Sequence, residues 1–442
     1  MIKKSYQLIF EKINYLIDDG TITKRIITNS FWTVFGGVIS KFIGLIGAIF
    51  LGRILGAEDY GGYGVILSTI DVFAMFSGAG MGLTAIKYIA KYNGENDKEK
   101  VGGIINLTLL LSLIMSVLLS VIMFSSSELI GAKVLLNDEL VKPLKIISLS
   151  LFFSTLNGVI MGILSGFEKF KTISLMNLIF GFINYPLILI FAYNYGLYGA
   201  VLGYAVSQFI FLIVYFSVFK KMISKLGYKI RWRFKLLKEY KFIIMNYSLP
   251  AIFAGSLMAP MIWLSNIIFL KSENAYELIG FFQAGNQLKL MVIFFPMMLT
   301  NILLPILSSV ENKEKYRNIL KATMYLNLAI AIVFCIPLVL FSSFFMGLYG
   351  NDFADHNVVL IIMAGTAVVI TYNSVIGKSI ASSGNMWYGL IFNLFWGIIL
   401  LIGTYITVRY SFGAEGLAFV YLIAYLFHSI WQTIYLKEIK VI

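Results

Sequence analysis

The feature that most constrains this chain is a close succession of apolar stretches, each long enough to cross a lipid bilayer. About 30 Å of hydrocarbon takes roughly 20 apolar residues in a helix. Stretches of that length recur from about residue 29 to residue 436 with only short polar breaks. Inside lipid every backbone N–H and C=O must find its partner within the protein, which leaves helices or closed barrels. A barrel would show short segments of alternating polarity, and these runs are unbroken. Only 13% of the residues are charged, about half the share in a soluble domain, so no soluble fold could cover this much apolar surface. The expectation is an all-α integral membrane protein with about twelve transmembrane helices.

The expected spans lie near 29 to 53, 62 to 85, 102 to 124, 143 to 165, 172 to 192, 197 to 219, 242 to 269, 278 to 308, 319 to 347, 357 to 379, 387 to 408 and 414 to 436. With the N-terminus inside, 27 of the 35 Lys and Arg fall at inside loops and ends and 6 outside, while Lys41 and Lys289 lie within spans. That bias predicts both termini in the cytoplasm of a multi-pass cytoplasmic-membrane protein. The net charge of +13 therefore reads as membrane topology and attraction to anionic lipid rather than nucleic-acid binding. Residues Ile2, Ile9, Phe10, Ile13, Leu16 and Ile17 recur at helical spacing among Lys3, Lys4, Glu11 and Lys12, which predicts an amphipathic segment on the cytoplasmic membrane surface over 1–27 rather than a cleaved signal.

Sliding the chain along itself by about 217 positions brings Lys24 and Asn29 onto Lys241 and Asn246, and Tyr193, Gly196, Gly199 and Tyr204 onto Tyr410, Gly413, Gly416 and Tyr421. A slip of one residue adds Gly62 with Gly280, and Asn177 and Gly181 with Asn393 and Gly397. Two related six-helix bundles follow, over 28–219 and 242–442, joined by a basic cytoplasmic linker at 220–241 that carries nine Lys and Arg. An even number of spans per half gives both halves one orientation, so a pseudo-two-fold axis along the membrane normal should relate them and enclose a cleft.

No nucleophile motif, nucleotide-binding glycine loop or metal-ligand cluster appears, and the single Cys335 sits in an apolar run. The expectation is a non-enzyme without cofactors or metals. The longest outside loop, about 125–142, is too short for a catalytic domain, which disfavours a glycan polymerase or ligase. Ionisable residues at membrane depth remain, and their cost marks them as functional candidates. Lys41 lies on a stripe with Gly37, Gly44 and Ala48, Asp71 on one with Gly64, Ser68 and Gly78, and Lys289 beyond Gln283, Asn286 and Gln287. Their common depth predicts a polar cavity with net positive charge. Lys41 and Asp71, on antiparallel neighbours, are expected to pair, with Asp71 as a coupling-ion site the alternative. Pro250, Pro260, Pro296, Pro305 and Pro337 crowd the second half, where they can kink helices.

The run Leu51, Gly52, Arg53, Ile54, Leu55, Gly56, Ala57, Glu58, Asp59, Tyr60, Gly61, Gly62, Tyr63, Gly64 resembles the signature of polysaccharide-biosynthesis flippases in the multidrug, oligosaccharidyl-lipid and polysaccharide exporter superfamily. Asn29, Trp32, Gly78 to Gly82 with Lys87 and Tyr88, and Gly162 to Phe167 look like further positions of that family. The resemblance implies a V-shaped pair of bundles moving an undecaprenyl-diphosphate-linked oligosaccharide by alternating access, alongside membrane lipid and other polysaccharide-assembly proteins. Spans 1, 2, 7 and 8 would border the cavity, making Lys41, Lys289, Arg53, Gln283, Asn286 and Gln287 substrate-binding candidates. A multidrug or cation antiporter of the same superfamily is the alternative, favoured if Asp71 is unpaired and faces a cavity.

Overall fold

The computed structural model describes residues 20–230, 234–249, 257–308, 312–382 and 386–438; residues 1–19 of the expected amphipathic segment at 1–27, and Pro250, lie outside them. The long helices are α1 (Gly20–Ser77), α2 (Met81–Gly94), α3 (Lys98–Ser125), α4 (Val141–Gly166), α5 (Phe170–Lys225), α6 (Met258–Phe269), α7 (Ala275–Ser308), α8 (Lys313–Leu340), α9 (Asn357–Ser382), α10 (Met386–Arg409) and α11 (Gly413–Glu438). Nine described helices are long and apolar enough to cross a membrane. Two of them make two passes each, because the backbone leaves the helix at Gly56 in α1 and at Tyr195 and Gly196 in α5. Gly56 and Gly196 adopt φ of 73° and 58°, which glycine alone takes up without a Cβ clash. The 12-residue α6 occupies the C-terminal part of the seventh expected span. Pro260 sits in its first turn, where a missing N–H costs little.

The second pass differs from the continuous helix expected at 62–85. It stops at Ser77, turns through Gly78, Ala79 (φ 45°) and Gly80 (φ 67°), and resumes as α2. A Cβ on Gly80 would stand 2.5 Å from the carbonyl oxygen of Ser248, so the approach of another backbone requires glycine here.

The repeat seen in the sequence is repeated in the contacts. Asn157 donates through Nδ2 to the Gln208 carbonyl at 3.2 Å, and Asn373 donates to the Tyr425 carbonyl at the same distance, 216 and 217 residues further on. Gly196 and Gly413 both turn the chain with positive φ. Between the halves, a Cβ on Gly61 would lie 1.8 Å from the Tyr276 carbonyl oxygen, and one on Gly280 would lie 2.0 Å from that of Ala57. Each half thus offers the other the same pair of positions, the reciprocity of a two-fold contact.

Burial divides the molecule into two ends. At the end that holds the Gly56 and Gly196 turns, one core joins both halves, with Leu51, Tyr60, Ile66 and Ala200 packed together with Phe269, Ile279, Tyr349, Phe353 and Trp396. At the opposite end there are two cores: Ile89, Ile104, Ile163 and Phe219 of the first half, joined by Ile243 at the start of the seventh expected span, and Leu320, Ile376 and Leu436 of the second half. There α1 still touches α7, with Gly37 against Phe294 and Met298.

Candidate functional site

Asp71 lies on α1 two turns before the Gly78–Gly80 break. It is exposed and lines a cavity of about 520 Å³ built entirely from the first half. Ser154, Thr155 and Gly158 of α4, Tyr204 of α5 and Leu83 of α2 form other walls. The broken helix leaves Gly78, Gly80 and Gly82 on the wall, and these glycines keep the space open. Of the lining residues, Asp71 carries the only charge and shares titratable character with Tyr204 alone. Thr155 already donates to the Leu151 carbonyl at 2.7 Å and lies 2.6 Å from the Ser77 hydroxyl. Among the described residues, the Asp71 carboxylate has no hydrogen-bond or ion-pair partner.

The expected ion pair with Lys41 does not form: no salt bridge joins Asp71 to Lys41. The physical reason is which way the two passes face. Lys41 is exposed on α1 one turn from Gly37, which meets α7 of the other half, whereas Asp71 turns inward on the first half's own cavity. Matched depth on neighbouring passes does not ensure a shared face.

Lys289 takes yet another position. Its side chain is enclosed in the second half, 6% exposed, with the ammonium 5.9 Å from the Tyr421 ring centroid. Nearby, Phe282 packs on Tyr421 with ring centroids 5.0 Å apart. Arg53 donates from Nε to the Leu348 carbonyl at 2.6 Å and so ties the two halves at their shared end. Gln283, half-buried, fills the space beside Gly64, whose Cβ would stand 2.8 Å from the Gln283 amide nitrogen. Asn286 and Gln287 are half-buried on the same helix. The candidates thus fall in three places: Arg53 and Gln283 where the halves meet, Lys41 beside the α1–α7 contact, and Asp71 and Lys289 one in each half.

Further polar ties cross between the halves. Trp263 donates from Nε1 to Thr69 at 3.0 Å, and Asn266 donates to Ser68 at 3.1 Å. Sequence reading passed over these residues, and over Tyr204, Ser154 and Thr155, because uncharged polar groups are common in membrane helices and carry no cost signal of their own.

The profile of the family described as polysaccharide biosynthesis protein matches residues 26–311. The chain belongs to this family. A curated relative, the EPS I polysaccharide export inner membrane protein EpsE of Ralstonia nicotianae, is 21% identical over 203 residues, covering 44% of this chain and 46% of that protein. The chain thus matches about half the length of that relative. Among solved structures, the inward-facing conformation of a multidrug resistance MATE family transporter of the MOP superfamily aligns at a TM-score of 0.74 and 17% identity, over 93% of this chain and 99% of that one. The outward-facing conformation of a MATE family transporter of that superfamily aligns at 0.67 and 19% identity, over 94% and 96%. A MOP superfamily transporter from Pyrococcus furiosus, described as having a binding pocket of reverse polarity, aligns at 0.67 and 17% identity, over 94% and 96%. The fold is that of these membrane transporters.

Proposed function

We propose that this family member carries a lipid-linked oligosaccharide, on a polyprenyl diphosphate carrier, across the cytoplasmic membrane by alternating access, for a surface polysaccharide such as capsule or O-antigen. The observation that carries the reading is the division of the core: one shared core at one end and two separate cores at the other. Two bundles hinged in this way can part at either end in turn. Family membership supports the glycan, and the charge bias of the loops supports cytoplasmic termini, with the split end facing the cytoplasm.

The sugar and diphosphate head group cannot cross hydrocarbon bare, since a buried charge without partners costs many kcal/mol. Lys41, exposed beside the α1–α7 contact, is the cation placed to replace part of the diphosphate's hydration when that contact opens. The test is complementation of a flippase-deficient strain, with surface polysaccharide and protein abundance read together. Full-length chain should restore export and Lys41→Ala should impair it at equal abundance. A chain that is abundant in the membrane and restores nothing contradicts the reading.

A second reading, export of cationic small molecules, draws on one observation: Asp71 has no ion-pair partner among the described residues and lines a cavity. Drug sensitivity of the same strain separates the two, since an antiporter would raise resistance to cationic dyes without restoring glycan.

A further inference from the structure

Each half sends one loop across to the other at the shared end. The loops stand at the same place in the topology, after the third pass of each half: residues 126–140 between α3 and α4, and 341–356 between α8 and α9. Each holds a short helix, Leu129–Val134 in the first and Ser342–Gly347 in the second. A helix leaves its last carbonyls without partners of its own. In both loops the other half supplies one just past the helix: the Tyr276 hydroxyl donates to the carbonyl of Leu135, and Arg53 donates from Nε to that of Leu348, each at 2.6 Å. Leu135 and Leu348 are the residues that directly follow the two helices. One arrangement is thus made twice, in opposite directions, as a two-fold relation requires.

Beside this bond, each loop drives side chains into the core that both halves share. The first loop buries Ile130, Leu135 and Leu140 there, and the second Met346, Tyr349 and Phe353. Tyr349 lies against Gly52 of the first half, where a Cβ would stand 2.6 Å from its ring. Tyr349 and Phe353 both meet Tyr60, with ring centroids 5.8 and 6.3 Å apart.

Each loop is also fastened to its own half. A Cβ on Gly131 would stand 2.7 Å from Val141 at the start of α4, and Glu128 pairs with Lys145 of α4 at 2.9 Å. In the second half Asn357 donates to Ser343, and His356 Nδ1 lies 2.7 Å from Glu415 Oε1 of α11 while its ring stacks on Phe281 of α7 at 3.9 Å. A loop held in this way travels with its own half when the halves part. Two bodies that separate break every bond crossing between them in one event. A lid that lifts by itself would break only its own.

We infer that the two loops are crossed straps that hold the shared end shut as a pair, so that this end opens only when the Tyr276–Leu135 and Arg53–Leu348 bonds release together. The opening is the one that alternating access requires, and in this the inference rests on the export reading. The experiment reads the straps without substrate. Its failure leaves export to be judged by complementation, and a failure of complementation leaves its result intact.

The purified full-length protein in nanodiscs, in a Cys335→Ser background, carries one cysteine at a time: Ile130→Cys on the first strap, Met346→Cys on the second, or Val101→Cys in the first half's core at the opposite end, all buried positions. The rate of labelling by a water-soluble maleimide is measured with and without Arg53→Leu or Tyr276→Phe. Each of these two variants is expected to speed labelling on both straps alike, by roughly two- to tenfold, the size of one hydrogen bond. The double variant should give roughly the product of the two factors. Val101→Cys should keep its rate, which shows that the fold itself is not loosened. The inference is overturned if a variant speeds labelling only on the strap it bonds, since the loops would then be separate lids. It is equally overturned if neither variant changes either rate, or if Val101→Cys is labelled faster by the same factor.

Discussion

The two ends of the molecule are held together in different ways. At the end with the Gly56 turn, backbone meets backbone: Gly61 and Gly280 leave no room for a Cβ, Gly52 lies under Tyr349, and Arg53 and the Tyr276 hydroxyl bond carbonyls of the opposite half, Leu348 and Leu135. At the other end the two halves form two cores, and of the second half only the stretch around Ile243 joins the first half's core. Interdigitated backbone allows one close fit and no intermediate ones, since packed interfaces switch between arrangements rather than deform gradually. The difference teaches that closure at the shared end is an all-or-none fit, set by glycines, and that opening it must release several polar ties together.

The largest effect is expected where that fit is tightest. Gly280→Leu forces a side chain into the Ala57 carbonyl and should cost at least the roughly 1–3 kcal/mol of overpacking, visible as a lower Tm and as faster labelling of cysteines placed at the shared end. A variant as stable and as slowly labelled as wild type would show that the glycines do not set the closure.

Next comes Lys289, a cation buried without an acidic partner among the described residues. Burying a charge costs several kcal/mol before compensation, so Lys289→Met should leave the protein at least as stable, by about 1–3 kcal/mol, while export falls. Reduced abundance with normal specific export would mean that the lysine serves only the fold.

The smallest effect compares the halves with each other. Asn157→Ala and Asn373→Ala each remove the corresponding bond to a helix carbonyl, and each should cost about 1 kcal/mol. Chemical denaturation giving unequal losses, beyond the extra contacts that Asn157 makes with the Gln208 side chain and Asn373 with the Ser429 hydroxyl, would weaken the structural equivalence.

Much of the fold was legible in the sequence because lipid imposes simple rules: span length follows bilayer thickness, and the repeat survives in Gly196 and Gly413, where glycine takes the positive φ of the turn at least cost. What escaped notice depends on helix rotation and on backbone approach. The Gly78–Gly80 break arises from contact with the Ser248 carbonyl, a partner 168 residues away. The Lys41–Asp71 pair was expected from depth alone, and depth does not say which way a side chain points.

The most direct test of the central claim, that export requires the shared end to open, is a reversible lock. In a Cys335→Ser background, Gly52→Cys and Tyr349→Cys place two thiols on positions where the Gly52 Cβ would lie 3.4 Å from the Tyr349 Cβ, near the roughly 3.5–4.5 Å that a disulfide spans. Oxidation should form the bond in high yield and stop delivery of surface polysaccharide, and reduction should restore it. A fully formed disulfide with export continuing at the reduced level would contradict the account.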